Sequence, residues 1–513
     1  MYVNIRYLYT IVLLILPIVC PAQEWVARYN GPGNAYDAAS AIAIDDAGNI
    51  YVTGPSCGLG PWEDYATVKY DSSGAEQWVA RYNGPFNYAD IAMAIALDTA
   101  GNVYVTGQSD GSGTWEDYAT VKYDASGIEQ WVARYNGPGN DYDAAYAIAV
   151  DDGGNVYVTG QSDASYTCDT SEDYATVRYD SMGVEQWVAR FNGPGNSTDW
   201  ASAIAHDSSG GIYVTGGSTG SGTGFDYATV KYDASGVEQW VARYDGPVNG
   251  YDMAHAIVVD NAGYVYVTGY SVGSGTSEDY ATVKYDSLGV EQWVARYNGP
   301  GNSTDLAIAV AIDDMGNVYI TGRSEGSGTG YDYATVKYDT SGVEQWVARY
   351  DGPGSGWDQA NAIAVDASVS VYVTGYSVGS GTSEDYATIK YNSQGVELWV
   401  MRYDAGLGDF ANDLAIDSDG NAFVTGRSWG PSNNDDYATI KYSSTGIRED
   451  VANPVHKAYL DATIFRGPLR LPEDKKCRVF DITGRVVEPD KIQPGIYFLE
   501  IDGEVVQKIV KIR

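Results

Sequence analysis

With 31 basic against 68 acidic side chains in 513 residues, a formal charge of −37, the chain repels polyanions, which disfavours nucleic acid and anionic lipid as partners. The last 63 residues are nearly balanced, with 11 basic and 9 acidic side chains, so the acidic excess belongs to what precedes them. Four cysteines exclude a disulfide framework, and three histidines in no zinc-type spacing leave metal hydrolysis through His or Cys unsupported.

In chain order, the first element is an export signal. Arg6 is its basic part, residues 8–19 are almost wholly apolar, and Cys20-Pro21-Ala22 precedes Gln23 as a small-residue cleavage site. Cleavage after Ala22 leaves no membrane span and places the mature chain outside the cell or on its outer surface. Cys57, Cys168 and Cys477 remain, an odd set read as small buried or idle thiols.

Next comes a repeat. Tryptophans at 25, 78, 131, 187, 240, 293, 346 and 399 stand 53 residues apart, with one gap of 56, and each opens a near-copy of Trp-Val-Ala-Arg-Tyr. A period of this size marks units that bury apolar surface only against their neighbours. In residues 41–82, Ala-Ile-Ala-Ile is followed by the turn Asp45-Asp-Ala-Gly-Asn49, then by Ile-Tyr-Val-Thr-Gly54. A Gly/Ser-rich loop, Asp64-Tyr-Ala-Thr-Val-Lys-Tyr70, a second turn and Gln77-Trp-Val-Ala-Arg-Tyr82 complete the unit. Each unit therefore carries four strands, which is the blade of a β-propeller. The small, apolar first strand is innermost; the third and fourth carry one basic residue each and lie outside, where a charge discourages edge pairing.

The first three strand types occur eight times, but no outer strand follows Tyr442, and an unmatched copy, residues 24–29, precedes the first inner strand. The chain is thus expected to be all-β: an eight-bladed propeller over residues 23–442, closed by its N-terminal strand. A linker, 443–453, then leads to a small β-sandwich-like domain, 454–513. Closing some 400 residues rather than 50 adds only about 2 kcal/mol of loop entropy, which burial and pairing of the Trp25 strand offset.

Two resemblances follow from these residues. Residues 147–160, Ala-Ile-Ala-Val-Asp-Asp-Gly-Gly-Asn-Val-Tyr-Val-Thr-Gly, resemble the core of a bacterial β-propeller repeat family, and the likeness spans 24–442; it implies a secreted or surface propeller. In the tail, Asn453-Pro454, Asp-Ile-Thr-Gly-Arg at 481–485, Gly-Ile-Tyr-Phe at 495–498 and Lys-Ile-Val-Lys-Ile at 508–512 resemble the C-terminal sorting domain of type IX secretion cargo. That likeness implies secretion machinery as a partner and sorting or anchoring as the tail's role.

No phosphate loop and no Cys/His pairing appears, and no catalytic residue is assigned. His206 and His255, beside inner strands, are read as packed or solvated. Three aspartate series recur. Asp45, Asp98, Asp151, Asp207, Asp260, Asp313, Asp366 and Asp417 close the inner strands and suit turn hydrogen bonding. Asp37, Asp90, Asp143, Asp199, Asp252, Asp305, Asp358 and Asp409 precede the inner strands on the opposite face. Asp64, Asp117, Asp173, Asp226, Asp279, Asp332, Asp385 and Asp436 open the third strands on that same face. Both latter series either hold loop amides or, if they line the channel mouth, demand cations; calcium suits oxygen-only ligands, with the series from Asp37 to Asp409 as its candidate ligands. Of the basic residues outside the outer strands, Arg323 and Arg427 are placed in loops.

Five tryptophans depart from the repeat, and all map to one face: Trp62, Trp115 and Trp429 between second and third strands, Trp200 and Trp357 between outer and inner strands. Indoles beside Asp and Asn suit sugar stacking or a protein contact, against packing over neighbouring blades. The expected function is a non-enzymatic binding module for a glycan or protein, with calcium as an accessory. Gly74-Ala-Glu-Gln-Trp78 is also similar to the Gly-x-x-x-Trp of eight-bladed quinoproteins, which implies a quinone-dependent dehydrogenase as the alternative; a structural surface-layer component is the third reading.

Overall fold

The computed structural model describes residues 23–111, 115–163, 172–430 and 434–444, and in the tail 463–465, 477–481, 487, 495–501 and 504–511. The export signal, Cys168, nearly all of the linker and the turn at 483–484 lie outside these residues. Among them every regular element is a β-strand and none is a helix, so no helix is long and apolar enough to cross a membrane. The chain divides into two units, Met1–Arg448 and Glu449–Arg513.

The first unit is an eight-bladed propeller. In blade 1 the inner strand Ala41–Ile44 pairs with Ile50–Cys57, which pairs with Glu63–Tyr70, which pairs with the outer Glu76–Tyr82. Blades 2–7 repeat this order. In blade 8 the N-terminal strand Gln23–Tyr29 lies antiparallel to Asp435–Tyr442, with Val26 opposite Ile440 and Tyr29 opposite Tyr437, and so supplies the outer strand as expected.

Local chemistry explains the hairpins. Asp45 Oδ1 accepts the amides of Ala47 and Asn49 at 3.0 and 2.8 Å, and its Oδ2 accepts Asn49 Nδ2 and the Tyr51 hydroxyl at 2.8 and 2.9 Å. The turn needs Gly48 at φ 76°, a left-handed conformation open to glycine at little cost.

The cores lie between blades rather than within them. Tyr51, Tyr65, Ala80 and Tyr82 of blade 1 pack with Val103, Val105, Val121 and Tyr123 of blade 2, and the Tyr65 hydroxyl donates to the Ala119 carbonyl at 3.1 Å. No blade can bury these side chains alone, and burying each contributes roughly 1.5–3 kcal/mol. Seven of the eight repeated tryptophans make the same kind of bond near the rim, Trp399 being the exception. Trp78 Nε1 donates to the Ala125 carbonyl at 3.2 Å, and its ring covers Gly127, where a Cβ would come within 2.6 Å of the indole. The glycine of the Gly-x-x-x-Trp pattern is thereby used to seat the preceding blade's tryptophan.

The second strands run further than the sequence suggests. They continue past the Thr-Gly glycine, as in Val103–Asp110, because the inner strand bulges between Ala92 and Ala94 and brings the Ile91 carbonyl against Gly107. A Cβ there would lie 1.9 Å from that oxygen. Arg323 and Arg427, expected in loops, are consequently inside the strands Val318–Glu325 and Ala422–Trp429, and Trp429 ends the latter.

In the second unit Thr463–Phe465, Cys477–Asp481, Gly495–Ile501 and Glu504–Lys511 form one sheet, one strand more than the sequence pattern marks. Thr463–Phe465 runs parallel to Glu504–Lys511, and the other pairs are antiparallel. The second layer that a sandwich requires is not among the described residues.

Candidate ligand-binding face

At one end of the ring each blade presents two loops, from second to third strand and from outer strand to the next inner strand. The recurring carboxylates there first of all hold the scaffold. Asp37, Asp90, Asp143, Asp199, Asp252, Asp305 and Asp358 each accept the amide of the glycine six residues earlier at 2.6–2.9 Å, and Asp409 accepts that of Ala405 at 2.7 Å. All eight are at most 1% exposed. Burial raises their carboxyl pKa values, those of Asp90 and Asp143 to about 6.

The series from Asp64 to Asp436 has a partner that the sequence did not suggest. Each of its members pairs with an outer-strand arginine at 2.7–3.2 Å. Arg81 shows the pattern: Nη2 donates to Asp64 Oδ2 and to the Ser56 carbonyl at 2.8 and 2.6 Å, while Nη1 donates to Ser56 Oγ and to the Tyr29 hydroxyl of the adjoining blade at 2.7 and 2.9 Å. These arginines fasten loops and blades together, a larger task than guarding the rim.

Three places carry an additional carboxylate. Where most outer loops begin with an asparagine, as Asn83 bonded to Asn87 at 2.7 Å, Asp245, Asp351 and Asp404 stand instead. They form the trios Asp226/Asp245/Asp252, Asp332/Asp351/Asp358 and Asp385/Asp404/Asp409, with oxygens within 4.8 Å of one another. Burial, and then the neighbouring carboxylates, raise the pKa of Asp245 and Asp351. Such trios can hold a metal ion, and of the expected ligand series Asp252, Asp358 and Asp409 belong to one.

The departing tryptophans are distributed unevenly. Trp62 and Trp115, 44% and 66% exposed, share a cleft of about 470 Å³ between blades 1 and 2 with Phe86, Tyr88, Asp110 and Glu116. Trp62 and Tyr88 have ring centroids 5.8 Å apart. Phe86 and Tyr88 escaped the sequence reading, although Phe86 occupies a position held by glycine at 33, 139, 195, 301 and 354. Trp429 does not line this cleft; it is half-buried beside Gly406. Trp200, expected in a loop, lies inside the inner strand Asp199–His206 and stacks on Phe225 at 5.0 Å and 29°, and Trp357 meets Tyr331 edge-on at 5.1 Å.

A Gly-x-Ser-x-Gly pattern, the sequence of a nucleophile elbow, occurs at 54–58, 107–111, 216–220, 269–273, 322–326, 375–379 and 426–430. Its serines serve the scaffold: Ser218, fully buried within Ile212–Thr219, accepts Arg243 Nη1 at 2.6 Å. His255 bonds the Ala307 carbonyl at 2.9 Å through Nδ1, and burial lowers its pKa.

The family comparison agrees with this architecture. The family model for the beta-propeller repeat (SBBP) matches residues 77–113, 130–167, 186–222 and 404–433, which supports placing these repeats in a β-propeller repeat family. An uncharacterized WD repeat-containing protein, L264, of Acanthamoeba polyphaga mimivirus is 22% identical over 390 residues, covering 54% of this chain and 27% of that protein. The regulatory protein FlaEY of Caulobacter vibrioides is 24% identical over 391 residues, covering 63% and 39%. The chain thus spans less than half the length of either relative. Among solved structures, a protein of unknown function from Dyadobacter fermentans has TM-score 0.39 at 10% identity, covering 83% of this chain and all of its own. A glucose dehydrogenase has TM-score 0.33 at 10% identity, covering 59% of this chain and 96% of its own.

Proposed function

We propose that this chain is a secreted or surface-held, non-enzymatic propeller that binds carbohydrate in the cleft between blades 1 and 2. One observation carries the reading: of the seven exposed aromatic rings among the described residues, four, 42–66% exposed, stand around a single cleft edged by Asp110 and Glu116. Indole and phenol faces pack on the C–H faces of sugars, and carboxylates accept their hydroxyls. The N-terminal apolar run and the sorting-like tail supply the route outward, the tail engaging secretion machinery. Calcium is the ion assigned to the acidic trios, since all their donors are oxygens.

A glycan array probed with the full mature chain tests this. The double variant Trp62→Ala/Trp115→Ala is expected to weaken binding of a retained glycan by at least about thirtyfold, the loss of a single aromatic anchor worth about 2 kcal/mol, with its melting temperature unchanged. Unaltered binding by the variant, or retention of a protein partner and no glycan, overturns the assignment.

A further inference from the structure

Outside the two outer strand types, Arg323 and Arg427 are the only basic residues among the described residues of the propeller. Both fill the position after the Thr-Gly glycine, which elsewhere reads Pro55, Gln108, Gln161, Gly217, Tyr270 and Tyr376. In an otherwise strict repeat this column is among the freest, so the scaffold does not dictate its residues. Arg427 has a carboxylate partner, Asp435 at 3.4 Å. Arg323 has none within 4.0 Å among the described residues. Its Nη1 donates to Gln359 Oε1 at 3.0 Å, while its Nε–H is buried without an acceptor. Arg178 also lacks a carboxylate, but it occupies a lysine position of the other blades and donates to the Ala234 carbonyl at 2.7 Å, as Lys69 does to that of Ala125.

The surroundings of Arg323 are aromatic. Its guanidinium carbon lies 4.9 Å from the Tyr331 ring centroid and 5.8 Å from that of Trp357, whose indole is 57% exposed. A planar cation is therefore held by Gln359 and two rings with most of its donors unspent. The Nη donors that Gln359 leaves open can take an anion in place of water, and a carboxylate matches the guanidinium fork with two parallel bonds. The charge of −37 repels polyanions, so the fitting ligand carries an isolated charge; at physiological salt, charges beyond about 8 Å are largely screened.

We propose that Arg323 and Trp357 form a second sugar subsite, selective for a saccharide bearing a carboxylate, with the carboxylate on the guanidinium and the sugar ring on the indole. This deepens the carbohydrate reading and rests on it, at blades other than those of the cleft. Calorimetric titration of the full mature chain with a disaccharide ending in glucuronic acid, with its methyl ester and with a sulfated disaccharide tests it. The acid is expected to bind about tenfold or more tightly than the ester, the gain of one charged hydrogen-bonded pair. Arg323→Gln should abolish that preference, and Trp357→Ala should weaken acid and ester alike. Arg323→Lys, which keeps the charge and the packing stem, should lose at least about threefold of the preference even if the glutamine variant misfolds. Trp62→Ala/Trp115→Ala should leave the preference intact, so failure at the cleft is distinguishable from failure here. Equal affinity for acid and ester, no binding of either, a preference that survives both substitutions at position 323, or a sulfated sugar held as tightly as the acid overturns the proposal.

Discussion

Ring closure depends on one side chain more than on any other in the N-terminal strand. Arg28 donates through Nη1 to the Tyr403 hydroxyl and Ser428 Oγ at 2.9 and 2.8 Å, and through Nη2 to the Ser428 carbonyl and Asp436 Oδ2 at 2.7 and 3.1 Å. Asp436 has only 4% of its side chain exposed. Replacing Arg28 by alanine strands that carboxylate, a loss worth about 3–5 kcal/mol when one partner of a buried pair is removed. With an unfolding entropy of about 2.1 cal/mol/K per residue over roughly 420 residues, the melting temperature should fall by about 3–6 °C. Arg296→Ala removes equivalent bonds to Tyr244, Ser271 and Asp279 and should cost a similar amount. The two variants separate under limited proteolysis. Arg296 sits in a strand tied into its blade by a hairpin, whereas the strand of Arg28 pairs with residues more than 400 positions away and can peel off, exposing residues 23–29 to cleavage. Scanning calorimetry and mass mapping of early cuts check both points. A melting change under 1 °C for Arg28→Ala, or the same cleavage pattern in both variants, refutes the reasoning.

Further outcomes follow from the same geometry. Burial holds Asp90 and Asp143 protonated up to about pH 6, against about 3.9 in an unfolded chain, so the folded state binds these protons more tightly and stability should rise as pH is lowered from 7 to 5; in Asp90→Asn/Asp143→Asn, denaturant titration should show a flatter profile. Calcium at a hundred times its dissociation constant should stabilise the fold by about 2.7 kcal/mol per occupied trio, seen as a chelator-reversible rise in melting temperature that Asp245→Asn/Asp351→Asn/Asp404→Asn abolishes. Gly107→Ala drives a methyl group to 1.9 Å from the Ile91 carbonyl and should cost about 1–3 kcal/mol or more in equilibrium unfolding.

The sequence disclosed what depends on short-range chemistry. Asp45 and its equivalents were readable as turn residues because every group they bond lies within six positions. The blade count and the N-terminal strand were readable because strand sequences repeat and one copy was left over. The arginine clasp was not, since Arg81 reaches Asp64 across 17 residues and Tyr29 across 52, and no local pattern distinguishes that from a charge facing water. A glycine reads as a strand end, which puts Arg323 and Trp429 in loops; in the structure it marks an inner-strand bulge, and the strand goes on. The cleft showed itself only through its tryptophans, because Phe86 and Tyr88 become meaningful once blades 1 and 2 are side by side.

The leftover strand has a consequence for how the ring selects its own closure. Gln-Glu-Trp-Val-Ala-Arg-Tyr at 23–29 is almost identical to the outer strands of six other blades, and Asp435–Tyr442 scarcely differs from the third strands of those blades. Its destination is therefore set by competition rather than recognition. In blades 1–7 a short hairpin holds the local outer strand at an effective concentration that a distant segment cannot match, and blade 8 alone offers a free edge. An outer-strand copy grafted by a short turn after Tyr442 would make the native N-terminal strand redundant. In a crowded solution the same free edge would accept that strand from a second molecule, so the architecture that closes one chain upon itself is equally able to link two by exchange.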